Sequence, residues 1–399
     1  MTSETNYDVA VVGGGPAGTS SAFYAAKLGL KTILFEKHPY PRPKPCGGAL
    51  SSRIIPLLGK EAVKAINCEI EELRVFSPSF KCLSFYNVPG YTVRREEFDL
   101  AMAKDAQNAG AIVMDKCRVK TIHQLPSGDY EIIAETATVT AKYIIMAAGF
   151  PKNALIRSPF TREEFEDDYL AMTVLSETPV DNKIMVDVNF PAKVMAIFFG
   201  AVPNGYAWYF VKDGYVNIGI GATALLLKDV GAVNAYKQFV LNLKQKGFLP
   251  KDLELAKERA FPLPFKRTVE KSVFGNVLLV GDSAGFVSPV TGEGIYYAVK
   301  GGQLAAQAIA ENVKNGALLS SYHYNWKKEF GYGLDKYGYL LREILYKSKR
   351  RMELAVSLGM HDAQMAELLK NLVFGVYGYQ KIFWKALLRL PVTLIKTIF

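Results

Sequence analysis

A glycine-rich turn near the start of the chain contains the first residues whose types and spacing could do chemistry. Residues 13–18, GGGPAG, follow a short β-branched run and open a helical stretch. In that position Gly13 permits a tight turn, Gly15 lets backbone amides approach a pyrophosphate, and Gly18 lets the helix pack close to the strand. Glu36 ends the next strand, where a carboxylate can accept hydrogen bonds from ribose hydroxyls. Strand, turn, helix, strand and acid in this order predict an adenine dinucleotide site.

A second glycine-rich segment, residues 276–295, begins as a buried strand and ends at the start of a helix. Its distinctive residues are Gly281, Asp282, Pro289, Gly292, Gly294 and Ile295. The segment resembles the second FAD motif of the p-hydroxybenzoate hydroxylase superfamily. The resemblance implies that Asp282 contacts the ribityl chain and that the amides near Gly294 and Ile295 face the flavin ring. A helix N-terminus at that point stabilises the negative charge that reduced flavin carries near N1.

The sequence that starts at Arg95, REEFD, resembles the R-x-x-F-D pattern that opens a helix in the same superfamily. This resemblance implies that Arg95 lies near the FAD phosphates and that Val119 lies on the strand flanking the adenine. The two glutamates after Arg95 also fit an arginine at the exposed start of a helix. Both interpretations of Arg95 therefore stay open.

Two further segments resemble motifs of the geranylgeranyl reductase family. Residues 44–49, KPCGGA, resemble the Cys-Gly motif that lies beside the flavin in that family. Residues 206–219 are similar to the family signature YxWxFPKxxxxxxG, with Val211 in the place of the proline, a departure that puts the local turn in doubt. The chain is identified as a member of this family, similar in character to the archaeal enzymes that saturate prenyl chains of membrane lipids. The combined resemblance places the following residues at FAD: Gly13, Gly15, Pro16, Ala17, Gly18, Glu36, Lys37, Cys46, Gly47, Ala49, Arg95, Val119, Gly149, Gly281, Asp282, Pro289, Gly292, Gly294 and Ile295.

The resemblance implies an FAD-dependent enzyme that saturates C=C bonds in geranylgeranyl chains of isoprenoid membrane-lipid precursors. Such alkenes have no carbonyl to polarise, so their reduction needs a hydride from flavin N5 and a proton delivered to the other carbon. Cys46 is the candidate catalytic residue for that proton, although its thiol could also only shape the cavity. Tyr206, Trp208 and Phe210 are the candidate substrate residues, because alternation along a strand puts them on one face. That face either lines a long apolar channel or packs as ordinary core.

Two other functions stay open on the same scaffold. One is a flavin-dependent monooxygenase or halogenase, although the chain has no lysine-bearing WxWxIP halogenase signature. The other is a non-enzymatic prenyl-binding escort protein, against which the intact dinucleotide glycines and the Gly281-Asp282 pair argue. The electron donor, a ferredoxin or NAD(P)H, leaves no fingerprint of its own in the sequence.

The patterns that position these residues predict an α/β fold. The opening unit is a strand at 8–12, a helix at 16–30 and a strand at 32–35. Further strands are predicted at 111–119, 130–134, 136–140, 142–146 and 276–280, and helices at 50–65, 96–108 and 295–315. Alternating segments between 169 and 222, including a hairpin across 194–211, predict an inserted antiparallel sheet. We expect a Rossmann-type FAD-binding domain at 1–75, 93–150 and 263–320, a substrate domain at 76–92 and 151–262, and a C-terminal helical region at 321–399.

Composition and charge narrow the class of protein. Of 399 residues 50% are hydrophobic and 22% are charged, which excludes a disordered or low-complexity chain. The formal charge is +10, and no acidic residue follows Glu367. Lys381, Lys385 and Arg389 form a basic stripe on a helix that Pro391 is expected to break. Such a segment predicts either peripheral contact with a membrane surface or a cover over the substrate channel. We expect no nucleic-acid partner.

The four cysteines, Cys46, Cys68, Cys82 and Cys117, include no CxxC pair, which argues against a disulfide scaffold or a structural zinc site. A bridge between two of them stays open. The four histidines have no metal-ligand spacing, so we expect no metal. No signal peptide or transmembrane helix is expected, and the predicted location is the cytoplasm.

Overall fold

The computed structural model describes residues 6–150, 170–227, 231–265 and 267–398. The strands in chain order are Asn6–Val12 (β1), Thr32–Phe35 (β2), Ala49–Ser51 (β3), Ile66–Glu69 (β4), Glu72–Phe76 (β5), Cys82–Tyr86 (β6), Gly90–Val93 (β7), Ile112–Met114 (β8), Val119–Gln124 (β9), Tyr130–Ala134 (β10), Thr138–Met146 (β11), Leu170–Pro179 (β12), Val194–Phe199 (β13), Gly205–Lys212 (β14), Tyr215–Thr223 (β15), Arg259–Pro264 (β16), Val273–Phe274 (β17) and Val277–Leu279 (β18). The helices are Pro16–Lys27 (α1), Lys60–Lys64 (α2), Arg95–Asn108 (α3), Asn182–Asp187 (α4), Ala232–Gln245 (α5), Ile295–Asn315 (α6), Ser320–Trp326 (α7), Tyr339–Tyr346 (α8), Lys349–His361 (α9), Ala363–Phe374 (α10) and Tyr379–Ile398 (α11).

An eight-stranded sheet contains the opening strand–helix–strand unit. Its strand order is β17-β18-β11-β1-β2-β8, and β10 and β9 extend it from β11. β1 runs parallel to both β11 and β2, and all four residues of β2 are buried. Short apolar strands of this kind are typical of a parallel sheet that is covered on both faces. The predicted Rossmann-type fold is confirmed.

A seven-stranded sheet forms the second layer, in the order β16-β12-β15-β14-β13-β5-β6. Its pairs are antiparallel except for β13 and β5. Alternation along β14 divides its side chains between two faces: Tyr209 packs in one cluster with Phe239 of α5, and Trp208 and Phe210 join the cluster on the other face. The inserted antiparallel sheet and the hairpin β13–β14 are confirmed.

Helices α7 to α11 make the C-terminal region, with two π-helical turns, Lys327–Gly331 and Gly333–Gly338, between α7 and α8. The expected break at Pro391 is wrong, because α11 continues through it. Asp362 accepts hydrogen bonds from Arg389 before the proline and from Thr393 after it. These two bonds hold both halves of α11 on one axis although a proline removes a hydrogen bond of the helix.

Several predicted elements have different limits in the structure. The strand expected at 111–119 is two strands, β8 and β9, because the extended backbone is interrupted at Lys116, whose φ is 51°. The strands expected at 136–140 and 142–146 are one, β11, which pairs along its length with β10 and β1. The helix expected at 50–65 begins as β3 and continues as a 3₁₀ turn before α2. Pro56 in that turn prevents a regular α-helix.

The division into domains stays a prediction, and the sheets show where its limits fall. β5 crosses the expected limit at residue 75, and β16 crosses the expected limit at residue 262. Both strands belong to the seven-stranded sheet. Residues 151–169 of the expected substrate domain lie outside the described residues. Within the described chain, none of the helices combines the length and the apolar character needed to cross a membrane.

Candidate functional site

The larger of two adjoining cavities opens where β1 ends and α1 begins, and its volume is about 540 Å³. Its lining includes most residues that the sequence placed at FAD: Gly13, Gly15, Pro16, Ala17, Glu36, Lys37, Cys46, Arg95, Val119, Gly149, Asp282, Gly292, Gly294 and Ile295. Gly18 and Gly281 pack behind this wall, against Gly13 and Ala17, whereas Pro289 lines neither cavity and packs against Gly338 of the C-terminal region. Gly47 and Ala49 line the second cavity instead.

Two glycines explain how the first turn approaches the sheet and the helix so closely. Gly13 has a φ of +105°, and a Cβ there would overlap the Ala147 carbonyl oxygen. A Cβ on Gly18 would overlap the carbonyl oxygen of Gly13. The turn therefore excludes side chains at both positions, which keeps the amino end of α1 at the cavity wall.

Glu36 stands at the end of β2, as expected, but its carboxylate is already engaged. Oε2 accepts a hydrogen bond from the Gly14 amide at 2.8 Å, and Oε1 accepts one from the His38 amide at 2.9 Å. Arg42 Nε lies 3.4 Å from Oε2. Glu36 thus holds the glycine turn and the following loop together, and each of its oxygens keeps a lone pair for a ribose hydroxyl.

A buried cluster of two arginines and one aspartate lies on the same wall. Arg95 binds Asp99 through two hydrogen bonds of 2.8 and 2.9 Å, and Arg42 Nη2 lies 3.1 Å from the same carboxylate. Burial opposes the charge of Arg95, but Asp99 and then Cys46 raise its pKa above the usual value. Arg95 is therefore not an exposed helix-start residue. Arg42 is a basic residue of this wall that sequence reasoning missed.

The second glycine segment brings the amino end of α6 to the same cavity as the first turn. Gly294 and Ile295 line the cavity, and no side chain caps α6. The backbone amides of its first turn are consequently free to face an anionic ligand.

Lys44, another residue that lines the larger cavity, is a buried amine. Its Nζ lies 2.9 Å from the centroid of the Phe261 ring. Burial lowers the pKa of Lys44 to about 8, although the charge of Asp282 opposes this shift.

The smaller cavity, of about 170 Å³, lies between β14 and the C-terminal helices. Tyr206, Trp208 and Phe210 line one side of it, as their alternation along β14 predicted. The opposite side consists of residues of α8 and α10: Leu345, Tyr346, Leu372, Val373 and Phe374. Apolar and aromatic side chains therefore dominate this cavity, whereas arginine, lysine and carboxylate groups line the larger one.

The two cavities meet at Cys46. Six residues line both of them: Pro45, Cys46, Leu263, Gly292, Gly294 and Ile295. Cys46 is partly exposed, and its Sγ accepts a hydrogen bond from the Gly48 amide at 3.3 Å. The thiol thus stands at the boundary between the cavity that carries charged side chains and the smaller, apolar one.

A partly buried ion pair, in which Glu293 lines the smaller cavity, interrupts its apolar lining. Arg53 Nη2 and Glu293 Oε2 are 2.6 Å apart, and the Arg53 guanidinium lies over the ring of Tyr296. Burial raises the pKa of Glu293, and the charge of Arg53 opposes that rise. Glu293 follows Gly292 in the second glycine segment, so its place between two glycines is the signal from which it could have been found.

Comparisons with known proteins give the family. Residues 179–256 match the geranylgeranyl reductase catalytic domain, and residues 7–184 match the pyridine nucleotide-disulphide oxidoreductase family. The digeranylgeranylglycerophospholipid reductase of Methanocaldococcus jannaschii is 30% identical over 356 residues, which cover 86% of this chain and 86% of that protein. The chain belongs to the geranylgeranyl reductase family. Another such reductase, from Thermoplasma acidophilum, is 31% identical over 77% of this chain and 79% of its own length.

Solved structures share the fold of this family member. A geranylgeranyl bacteriochlorophyll reductase-like protein from Thermoplasma acidophilum superposes with a TM-score of 0.76 and 24% identity, covering 96% of this chain and 99% of that one. A flavin-dependent brominase gives a TM-score of 0.74 and 18% identity, covering 97% and 99%. Both likenesses concern the fold alone. The expected membership of the geranylgeranyl reductase family and the expected cofactor are confirmed: the chain is an FAD-dependent oxidoreductase.

The larger cavity of this geranylgeranyl reductase family member fits FAD. Arg42 Nε is buried and has no hydrogen-bond partner among the described residues. Its Nη2 lies 3.6 Å from the position of a Cβ on Gly15, next to the amides of the first turn. A guanidinium with one N–H that makes no hydrogen bond, beside a glycine turn and a helix amino end, suits a pyrophosphate even though it is also ion-paired with Glu36 and Asp99. Arg42 and the first turn would hold the phosphates, and Asp282 with the amino end of α6 would hold the flavin end.

Proposed function

We propose that this protein saturates C=C bonds in geranylgeranyl chains of isoprenoid membrane-lipid precursors. The observation that carries the proposal is the junction of an apolar cavity with the FAD cavity at Cys46, Gly294 and Ile295. A prenyl chain has only apolar surface to offer a binding site, so an apolar cavity beside the flavin suits it. The similarity to digeranylgeranylglycerophospholipid reductases supports the same substrate class.

Reduced FAD, when bound, supplies the hydride to one alkene carbon. The residues of the protein supply the proton, the stabilisation of charge and the binding surface. Cys46 donates a proton from Sγ to the other carbon, and its sulfur then takes a proton back from solvent, which restores the thiol. The amides at the start of α6 stabilise negative charge on the flavin side of the junction. Tyr206, Trp208 and Phe210 hold the prenyl chain and exclude water from it. A ferredoxin or NAD(P)H provides the two electrons.

Anaerobic reoxidation tests the proposal. FAD-loaded protein is reduced with dithionite, a geranylgeranyl glycerophospholipid precursor is added, and flavin absorbance and product mass are followed. We expect reoxidation without oxygen and the gain of two hydrogens per double bond. A requirement for oxygen with insertion of an oxygen atom would support a monooxygenase instead. Lipid binding without FAD binding would support an escort protein.

We further propose that α11 contacts the membrane that holds these lipids. Its exposed apolar side chains include Trp384, Leu388 and Ile395, and the neighbouring Lys381 and Lys385 lie over the ring of Tyr377. Apolar and basic groups on one helix are typical of an interfacial segment on anionic lipid. The predicted basic stripe is shorter than expected, because Arg389 Nη2 pairs with buried Asp362 at 2.8 Å.

A further inference from the structure

A lysine of the family signature is buried behind the Cys46–Gly48 segment. The Lys212 side chain is 1% exposed and lines neither cavity. Its Nζ donates hydrogen bonds to Glu177 Oε1 at 2.5 Å and to the Val93 carbonyl oxygen at 2.8 Å. Apolar residues of similar volume often replace a buried ion pair without loss of stability, so stability alone is a weak reason for this one.

Asn217 connects the ion pair to Cys46. Its Nδ2 donates to Glu177 Oε1 at 3.2 Å and to the Cys46 carbonyl oxygen at 3.0 Å, and its Oδ1 accepts from Trp208 Nε1 at 2.8 Å. Glu177 and Asn217 are register partners of β12 and β15, and Asn217 is also opposite Phe210 of β14. These side chains therefore stand on three adjacent strands of one sheet, which fixes their relative positions.

The Cys46–Gly48 turn is held at both of its ends. The carbonyl oxygen of Cys46 accepts from Asn217, and that of Gly48 accepts from the Val93 amide at 2.8 Å. Val93 is in turn held by Lys212 through its own carbonyl oxygen. The hydrogen bonds at both ends of the turn are therefore connected, through Val93 and Asn217, to the Lys212–Glu177 ion pair.

The glycine that ends the signature has a place in this arrangement. Gly219 lies opposite Trp208 in the register of β14 and β15, and a Cβ on Gly219 would overlap the indole. A glycine there lets the indole lie across β15 and places its Nε1 at Asn217. Three signature positions, Trp208, Lys212 and Gly219, thus contribute to one hydrogen-bonded network.

We propose that Lys212, Glu177 and Asn217 are positioning residues that hold the Cys46–Gly48 turn at the junction of the two cavities. The expected effect on catalysis rests on the proposed function. The expected effect on the position of the Cys46–Gly48 turn does not. A thiol displaced by about 1 Å from the reacting carbon can lose up to about 100-fold in rate, while the binding of FAD and lipid is little changed. The network thereby connects the seven-stranded sheet to the proton donor.

The experiment measures Cys46 directly. In a Cys82→Ser background, Cys46 is the one cysteine that is not buried, so iodoacetamide labelling followed by peptide mass spectrometry reports its accessibility. The test variants are Asn217→Ala, Lys212→Met and the shape-conserving Glu177→Gln. The matched controls are Asn182→Ala, which removes hydrogen bonds to Asp213 and Gly214 in the turn after Lys212 but none of those that lead to Cys46, and Lys193→Met, which removes a surface pair with Glu71.

For the test variants we expect Cys46 labelling to accelerate by about 5-fold or more and kcat to fall by about 10-fold, with KM for the lipid and the Kd for FAD within about twofold. The controls should stay within about twofold of the parent on every measure. Labelling rates and kcat of Asn217→Ala and Glu177→Gln that match the controls would overturn the proposal, even if Lys212→Met fails to fold. Labelling needs no lipid, so a protein that reduces no alkene would refute the proposed function and still leave this test decisive.

Discussion

Gly281 lies directly against Ala17, so that a Cβ on Gly281 would stand 2.7 Å from the Ala17 Cβ. One residue belongs to the turn that begins the 3₁₀ segment after β18, and the other to the first turn of α1. Two turns that are remote in the chain therefore touch behind one wall of the FAD cavity.

Replacing Gly281 with alanine should weaken FAD binding by about 10-fold or more, because the new methyl group pushes α1 away from the turn at Gly281 and Gly281 has a φ of +62°. Titration of apoprotein by flavin fluorescence quenching measures the Kd. Gly316→Ala is the matched control, since Gly316 has a φ of +73° but open space around its Cβ position. Equal Kd values for the two variants would contradict the steric explanation.

Replacing Cys46 with serine should lower the rate of flavin reoxidation by lipid about 100-fold, since a hydroxyl is a far weaker acid than a thiol. FAD content should not change, because Cys46 contributes one small side chain to the cavity. Stopped-flow absorbance gives the rate, and Cys82→Ser, at an exposed position, serves as the control. A wild-type rate in Cys46→Ser would reduce the thiol to a packing role.

The affinity of apoprotein for FAD should decrease as pH rises through about 8, where burial places the pKa of Lys44. Below that pH Lys44 is charged and attracts an anionic ligand, and above it the amine is neutral. A hydrogen bond to a charged group is worth about 1.5 kcal/mol, so we expect about a 10-fold loss between pH 7 and 9. Lys44→Arg, which stays charged, should bind with little pH dependence. The same pH profile in Lys44→Arg and the parent would assign the titration to another group.

Replacing Leu388 with aspartate should reduce binding to vesicles that contain anionic lipid by about 5-fold or more, since it puts a charge into the apolar face of α11. Vesicle sedimentation measures the partition. Leu318→Asp is the matched control, because both leucines are 76% exposed and Leu318 lies outside α11. Equal losses in the two variants would show that contact does not occur through α11.

Local patterns predicted much of the fold and of the FAD site. The glycine turn at residues 13–18, the hairpin β13–β14 and helix α6 were expected where the structure has them, because glycine spacing and alternation along strands act over a few residues. The limits of β8 and β9 were missed because one left-handed residue, Lys116, interrupts the extended backbone there. The continuous α11 was missed because Asp362, a distant residue, holds the helix on both sides of Pro391.

The functional conclusions also divide into those that the sequence determined and those that required the tertiary structure. The sequence by itself determined that the chain binds a dinucleotide, that it resembles geranylgeranyl reductases, and that Tyr206, Trp208 and Phe210 share a face. Only the tertiary structure decided that Arg42 joins the FAD wall, that Cys46 lies where two cavities meet, and that Lys212, Glu177 and Asn217 form hydrogen bonds that lead to the Cys46 carbonyl oxygen. The reason is physical: residue type and spacing fix backbone shape over a few residues, whereas hydrogen bonds between remote side chains exist only after sheets and helices have packed.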